Sequence, residues 1–190
     1  NLSDAGAYWH AALRLREGAA LYPAVANIDA SDVYRYAPWF AWLTVPFTYL
    51  PQQVAGALWS VVLLGASVLA VVPMLRARAW LPVAFFLPIL VGISAGGNVQ
   101  ALMIAALVHG VERRSGPLWI GVATSLKISP ILFVAVYAGR RQWGRVAATV
   151  AIAVLLWAPV LLYDLRGYST EAGQAATPIS ARILWGLGVG

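Results

Sequence analysis

The chain alternates long apolar runs with short basic turns, and a stretch of mixed polarity stands at each end. Val54–Leu75 is the clearest run, 22 residues without a charge. As a helix it crosses the roughly 30 Å hydrocarbon layer of a bilayer. Val146–Tyr163 reads as another span. Trp39–Leu50 is apolar all round but too short to span, and Pro46 weakens it. Ala79–Ala95 and Ala101–Val111 are uncharged runs separated by Gly96-Gly97-Asn98-Val99-Gln100. Pro117–Tyr137 is apolar except for Lys127, with Pro130 just after it. Ahead of these runs, Asp4–Glu17 has helical character. Ser3 is suited to cap it, Asp4 to its positive end and Gly18 to its stop. Pro38 suits a first helical turn. Asp164–Thr177 is polar, and Ala181–Gly190 reads as the start of a further helix.

Composition makes the membrane reading firm. Of 190 residues, 61% are hydrophobic and 11% charged, against about a quarter charged in a soluble domain. Such a chain cannot cover itself with polar surface. The formal charge is +6. All of that excess sits in three short stretches holding Arg76, Arg78, Arg113, Arg114, Arg140, Arg141 and Arg145, with Glu112 opposing. Lysines and arginines gathered between apolar runs mark the cytoplasmic side, so no nucleic-acid partner is implied. Residues 1–37 and 164–177 then face outward. With no cysteine there is no disulfide framework and no Cys-based metal site. The two histidines, His10 and His109, are too few for a His-rich one. His109 reads as a helix C-terminal residue. The chain opens at Asn1 without an initiator Met or signal peptide, which reads as a piece whose first membrane helix is missing.

This orientation constrains the middle of the chain. Glu112 and Arg140 fall on the same side, so the segment between them goes in and comes back. It is too short for two full spans. A re-entrant hairpin or a pair of short helices, turning near Lys127–Pro130, is expected. Ala79–Val111 turns likewise at Gly96–Gln100. Backbone of this kind is allowed where it lines a cavity or is buried in protein. Two broken hairpins bring Asn98, Gln100 and Lys127 together in the outer half of the membrane. The expected architecture is all-α, one polytopic transmembrane helical bundle over 1–190. Its parts are an outer loop with a juxtamembrane helix (1–37), membrane hairpins (38–163) and a second outer loop with the next helix (164–190).

Lys127 is the sharpest chemical signal. An ammonium inside an apolar run is costly and by default functional, and it suits a phosphate. It also reads as a snorkelling structural lysine. Asp4, with Tyr8 one turn later on the same face, could act as a general base or be a plain helix-start acid. Asp29 and Asp32 are rival carboxylates. Asn98 and Gln100 carry amides that bond a sugar or phosphate, or cap helix ends. Tyr34-Arg35-Tyr36 sets a cation between aromatics, either for a lipid phosphate or sugar or as an interfacial anchor.

The ordered set Ser3-Asp4-Ala5-Gly6-Ala7-Tyr8, Gly18-Ala19-Ala20-Leu21-Tyr22, Tyr34-Arg35-Tyr36-Ala37-Pro38, Gly97-Asn98-Val99-Gln100, Ser125-Leu126-Lys127-Ile128-Ser129-Pro130 and Arg-Arg-Gln-Trp resembles glycosyltransferase family 87. That family includes polyprenol-phosphate-mannose-dependent mannosyltransferases. The resemblance implies the C-type glycosyltransferase fold and a polyprenyl-phosphate sugar donor, mannose favoured, used at the outer face. It implies Asp4 as catalytic base and Lys127 at the donor phosphate. The family commonly has Lys-Pro where this chain has Lys127-Ile128-Ser129-Pro130, and Gly-Gln then Asn where it has Gly97-Asn98-Val99-Gln100.

The expected reaction moves a sugar to a hydroxyl of a lipid or glycan acceptor. Arg35 joins Lys127 at the phosphate, and Tyr8, Tyr36, Asn98 and Gln100 contact substrate. No cofactor and no metal is expected, and the setting is a multi-pass plasma-membrane protein in glycolipid and cell-envelope synthesis. The alternatives are a transporter or flippase, which broken helices and a midplane charge also suit, or a catalytically silent membrane subunit. The carboxylate-bearing outer loop favours the enzyme.

Overall fold

The computed structural model describes residues 3–23 and 33–163, and all of them that are ordered into regular elements are helical. Asp29, Asp32 and the second outer loop assigned to 164–177, with the helix expected after it, lie outside the described residues. The elements are α1 (Ser3–Arg16), α2 (Pro38–Thr44), α3 (Gln52–Arg76), α4 (Trp80–Ala95), α5 (Gln100–Gly110), α6 (Gly116–Leu126), α7 (Val134–Gly139) and α8 (Trp143–Trp157). Tight 3₁₀ turns extend three of them, Val45–Tyr49 after α2, Ser129–Phe133 before α7 and Ala158–Leu162 after α8.

The punctuation of the sequence is where the helices stop. α1 begins at Ser3 itself, and the chain leaves it at Gly18, which sits at φ +70°. Pro38 opens α2. Lys127, at φ −142° and ψ 143°, breaks the path from α6 into the 3₁₀ turn. Gly97, at φ +83°, turns α4 into α5. It also lets the chain pass α1: a Cβ there would stand 2.6 Å from the Ala5 Cβ and 2.7 Å from its backbone nitrogen.

Among the described residues two helical stretches are long and apolar enough to cross a membrane, Gln52–Arg76 and Trp143–Leu162. Both are mostly exposed, with only 28% and 11% of their apolar windows buried. Core helices of a water-soluble protein would be covered. Leu81, Phe85, Leu155 and Leu161 are likewise exposed, and so much uncovered apolar surface suits lipid. α4 and α5 are shorter, rising roughly 24 and 16 Å, and fold against α3 as a bent hairpin.

Helix contacts in this bundle rest on small residues. Ala66 and Ala70 of α3 and Ala101 and Ala105 of α5, each pair one turn apart, are buried in one cluster. Gly121 lets α6 close on Ile152 of α8. Without a hydrophobic drive between helices in lipid, such close approach supplies the dispersion contacts. Inside the pair α3–α4, the Ser67 and Ser94 hydroxyls bond at 2.9 Å.

α6 and α7 return the chain to where it set out. Arg140 forks onto both Glu112 carboxylate oxygens at 2.7 and 3.0 Å, and Tyr137 donates to the Val111 carbonyl at 2.8 Å. Arg145, read above as a loop residue, belongs to the first turn of α8. Its guanidinium bonds the carbonyls of Val111 and Arg113 and lies 4.2 Å over the Tyr137 ring. A cation at a helix N-terminus opposes the macrodipole, and those carbonyls supply the compensation. Arg145 therefore braces two basic turns.

Candidate functional site

The site forms where α1, the 96–99 turn and the end of α6 converge. The first turn of α1 sets Asp4 against that turn. Its backbone N–H donates to the Gly96 carbonyl at 3.3 Å. The Asn98 side-chain Nδ2 donates to Asp4 Oδ2 at 3.0 Å. Asn98 Oδ1 in turn accepts the Gln100 backbone N–H at 3.0 Å, satisfying one of the orphan donors at the start of α5. One amide thus fixes both the carboxylate and the helix start. Trp59 of α3 donates to the Gly97 carbonyl at 2.8 Å and locks the turn from behind. Oδ1 of Asp4 has no bond among the described residues, and Asp4 is partly exposed.

An aromatic wall stands behind the carboxylate. Tyr8 packs edge-on against Tyr36, Phe40 and Trp59, and its hydroxyl bonds that of Tyr36 at 3.1 Å. Burial pushes both phenols above their ordinary value, so both stay neutral at any working pH. Tyr22 donates to the Tyr36 carbonyl at 2.8 Å, and Tyr34 to that of Ala37 at 2.8 Å. These bonds fold the pre-membrane segment down and carry Arg35 to the end of α6. Trp39 reaches Ser125 Oγ at 3.1 Å and pins α2 to α6.

Lys127 sits half-buried at the C-terminus of α6, where unpaired carbonyls favour a cation. It feels the Asp4 charge without forming a contact ion pair with it. Beside it opens a cavity of about 590 Å³, which Arg35, Thr124, Lys127 and Ser129 line together with Ala153, Val154 and Trp157 of α8. Leu126 and Ile128 also line it, and the α8 side is wholly apolar. Two cations and two hydroxyls next to an apolar wall can hold an anionic headgroup with a hydrocarbon tail.

Of the residues singled out from sequence, Asp4 and Asn98 form one hydrogen-bonded pair and Tyr8 and Tyr36 another, and Arg35 and Lys127 share the cavity. Gln100 enters through its backbone. Thr124 was missed. It is 7% exposed, and its hydroxyl is buried without a partner although it lines the cavity. Buried hydroxyls are normally bonded. Its place three residues before Lys127, about one helical turn, was the available signal.

The family model described as Glycosyltransferase family 87 matches residues 34–179. The chain belongs to glycosyltransferase family 87. The matched stretch includes Arg35, Tyr36, Asn98, Gln100, Thr124 and Lys127, and Asp4 and Tyr8 precede it. No curated protein and no solved structure matches the chain. Membership makes the protein a glycosyltransferase of a membrane-associated family, acting on a sugar donor and an acceptor.

Proposed function

We propose that this family 87 glycosyltransferase moves a sugar, mannose favoured, from a polyprenyl-phosphate donor to an acceptor hydroxyl of a lipid or glycan. The work is done at the extracytoplasmic face of a multi-pass plasma-membrane protein with the C-type glycosyltransferase fold. The observation that carries the reading is the pairing of an Asn98-held carboxylate with a cation-lined cavity. Base and leaving-group stabiliser then serve one reacting centre, a reading that the closeness of the Asp4 charge to Lys127 supports.

In this reading Asp4 takes the proton from the acceptor hydroxyl as its oxygen bonds to the anomeric carbon. The bond from that carbon to the phosphate oxygen breaks, and the electron pair leaves with polyprenyl phosphate. Lys127 and Arg35 balance the charge that develops there, the part of the reaction best served by fixed cations. Ser129, which is exposed, donates to the same phosphate, and the buried Thr124 hydroxyl joins it once its side chain turns toward the cavity. Asn98 keeps Asp4 aimed, and Gln100 supports the turn. The part-exposed Tyr36 offers a neutral surface for a sugar ring, backed by Tyr8, which is buried and does not meet substrate itself. The apolar α8 wall suits the first isoprene units. Broken helices occur in transporters as well, and family membership favours transfer.

The test is a membrane assay of the full-length protein with labelled polyprenyl-phosphate mannose and native lipid acceptor. Transfer of label to acceptor is expected. Transfer from a nucleotide sugar and none from any polyprenyl-phosphate sugar would overturn the donor assignment.

A further inference from the structure

A second cavity lies on the other side of α6. It is a groove of about 680 Å³ between α3, α5 and α6, within the size range of sites that bury a ligand. Gly65, Ala66, Ala105 and Ala106 make it deep because their side chains are small. Leu126 lines it at the C-terminus of α6, and His109 and Arg113 line it at the far end of α5. None of the transfer chemistry uses it. α5 rises roughly 16 Å, about the depth of one leaflet.

The two ends of the lining differ in charge. It is apolar at Leu126 and carries His109 and Arg113 at the other end. His109 Nε2 lies 2.7 Å from the Leu69 carbonyl. A carbonyl only accepts, so Nε2 carries the proton and the ring is held at the mouth of the groove. The Arg113 guanidinium makes no bond among the described residues. A phosphate there would meet a cation with an adjacent imidazole, and its hydrocarbon chain would lie in the groove.

We propose that this groove holds one chain of an anionic phospholipid, with the phosphate at Arg113. The donor's tail is the competing occupant. Lys127 lines the cavity on the α8 side and not the groove, the two meeting at Leu126, and an isoprenoid tail gains nothing from a basic far end. An anionic headgroup does, because juxtamembrane cations attract such lipids.

The test uses the full-length protein in nanodiscs of phosphatidylcholine with phosphatidylglycerol, followed by native mass spectrometry of the lipid retained. The wild type is expected to keep one phosphatidylglycerol in preference to phosphatidylcholine. Arg113→Ala combined with Arg114→Ala should weaken retention about tenfold or more. Gly65→Phe should abolish it, since a Cβ at Gly65 meets nothing within 4 Å and the ring projects into the groove; an unchanged melting temperature checks that the fold is kept. Lys127→Ala should keep it. Equal retention of phosphatidylcholine, retention by Gly65→Phe, or displacement by added polyprenyl phosphate would overturn the proposal. None of these readouts requires sugar transfer, so the transferase reading and this one fail separately.

Discussion

Asn98 donates its side-chain amide to the Asp4 carboxylate at 3.0 Å, across 94 residues of sequence. The same amide holds the start of α5 through the Gln100 backbone N–H. Asn98→Ala breaks both bonds and should cost about 1–3 kcal/mol of stability. Asn98→Asp sets a second carboxylate beside Asp4 and should lower transfer further than Asn98→Ala does. Thermal unfolding and initial rates on matched membranes check both. Transfer by Asn98→Asp equal to wild type would show that Asp4 is not held for catalysis by this contact.

Gly97 is fixed by geometry on two counts, a left-handed backbone and the closeness of Ala5. Gly97→Ala should destabilise by about 2 kcal/mol or more, the left-handed strain adding to the clash. Gly65→Ala, in open space on α3, should be neutral or stabilising by up to about 1 kcal/mol. Melting temperatures of the pair separate site geometry from helix propensity.

Thr124 predicts an opposition between stability and function. Its buried hydroxyl has no partner, so Thr124→Val should leave the melting temperature unchanged or raised. If the donor phosphate takes that hydroxyl's hydrogen bond, KM for donor should rise about 5- to 10-fold. Thr124→Ser should restore donor use. An unchanged KM in Thr124→Val would remove Thr124 from the site.

Glu112 and Arg140 predict both topology and a pH response. The chain has no cysteine, so Glu112→Cys and Arg140→Cys can be labelled singly with an impermeant reagent. Both should react from one side of the membrane, and Glu17→Cys from the other. Arg140 donating to Glu112 holds that carboxyl below its ordinary 4.5. A lowered folded-state value means the pair's contribution is present above 4.5 and lost as pH falls through the lowered value. Glu112→Gln should flatten that acid limb of a stability profile, giving up the small contribution of an exposed pair at neutral pH and changing nothing once the carboxyl is protonated.

Much of the fold is legible in the sequence because its signals are local. The uncharged run that becomes α3, the turn at Gly96–Val99, the break at Lys127 and the proline that opens α2 all follow from polarity and backbone restriction. Charge clustering puts Glu112 and Arg140 on one side, and their ion pair is seen only in the structure. The site is legible only in part. Lys127 stands out as a lone cation, but no local pattern announces that Asn98 bonds Asp4 or that Trp39 bonds Ser125. Arg145 looks like one more loop charge until the carbonyls of Val111 and Arg113 appear beside it. Thr124 reads as an ordinary helix residue until its hydroxyl is found without a partner.

Lys127→Ala should raise donor KM about 10- to 100-fold through the lost charge-assisted bond to phosphate. Donor saturation curves in native membranes check it. Normal saturation would remove Lys127 from the phosphate.

The most direct measurement is the initial rate of label transfer from polyprenyl-phosphate mannose by Asp4→Asn, in membranes matched for protein amount. Asparagine keeps an oxygen that can accept from Asn98, so the turn is retained while the base is lost. The account predicts a fall of about 100-fold or more, with donor binding intact. A rate equal to wild type would contradict it.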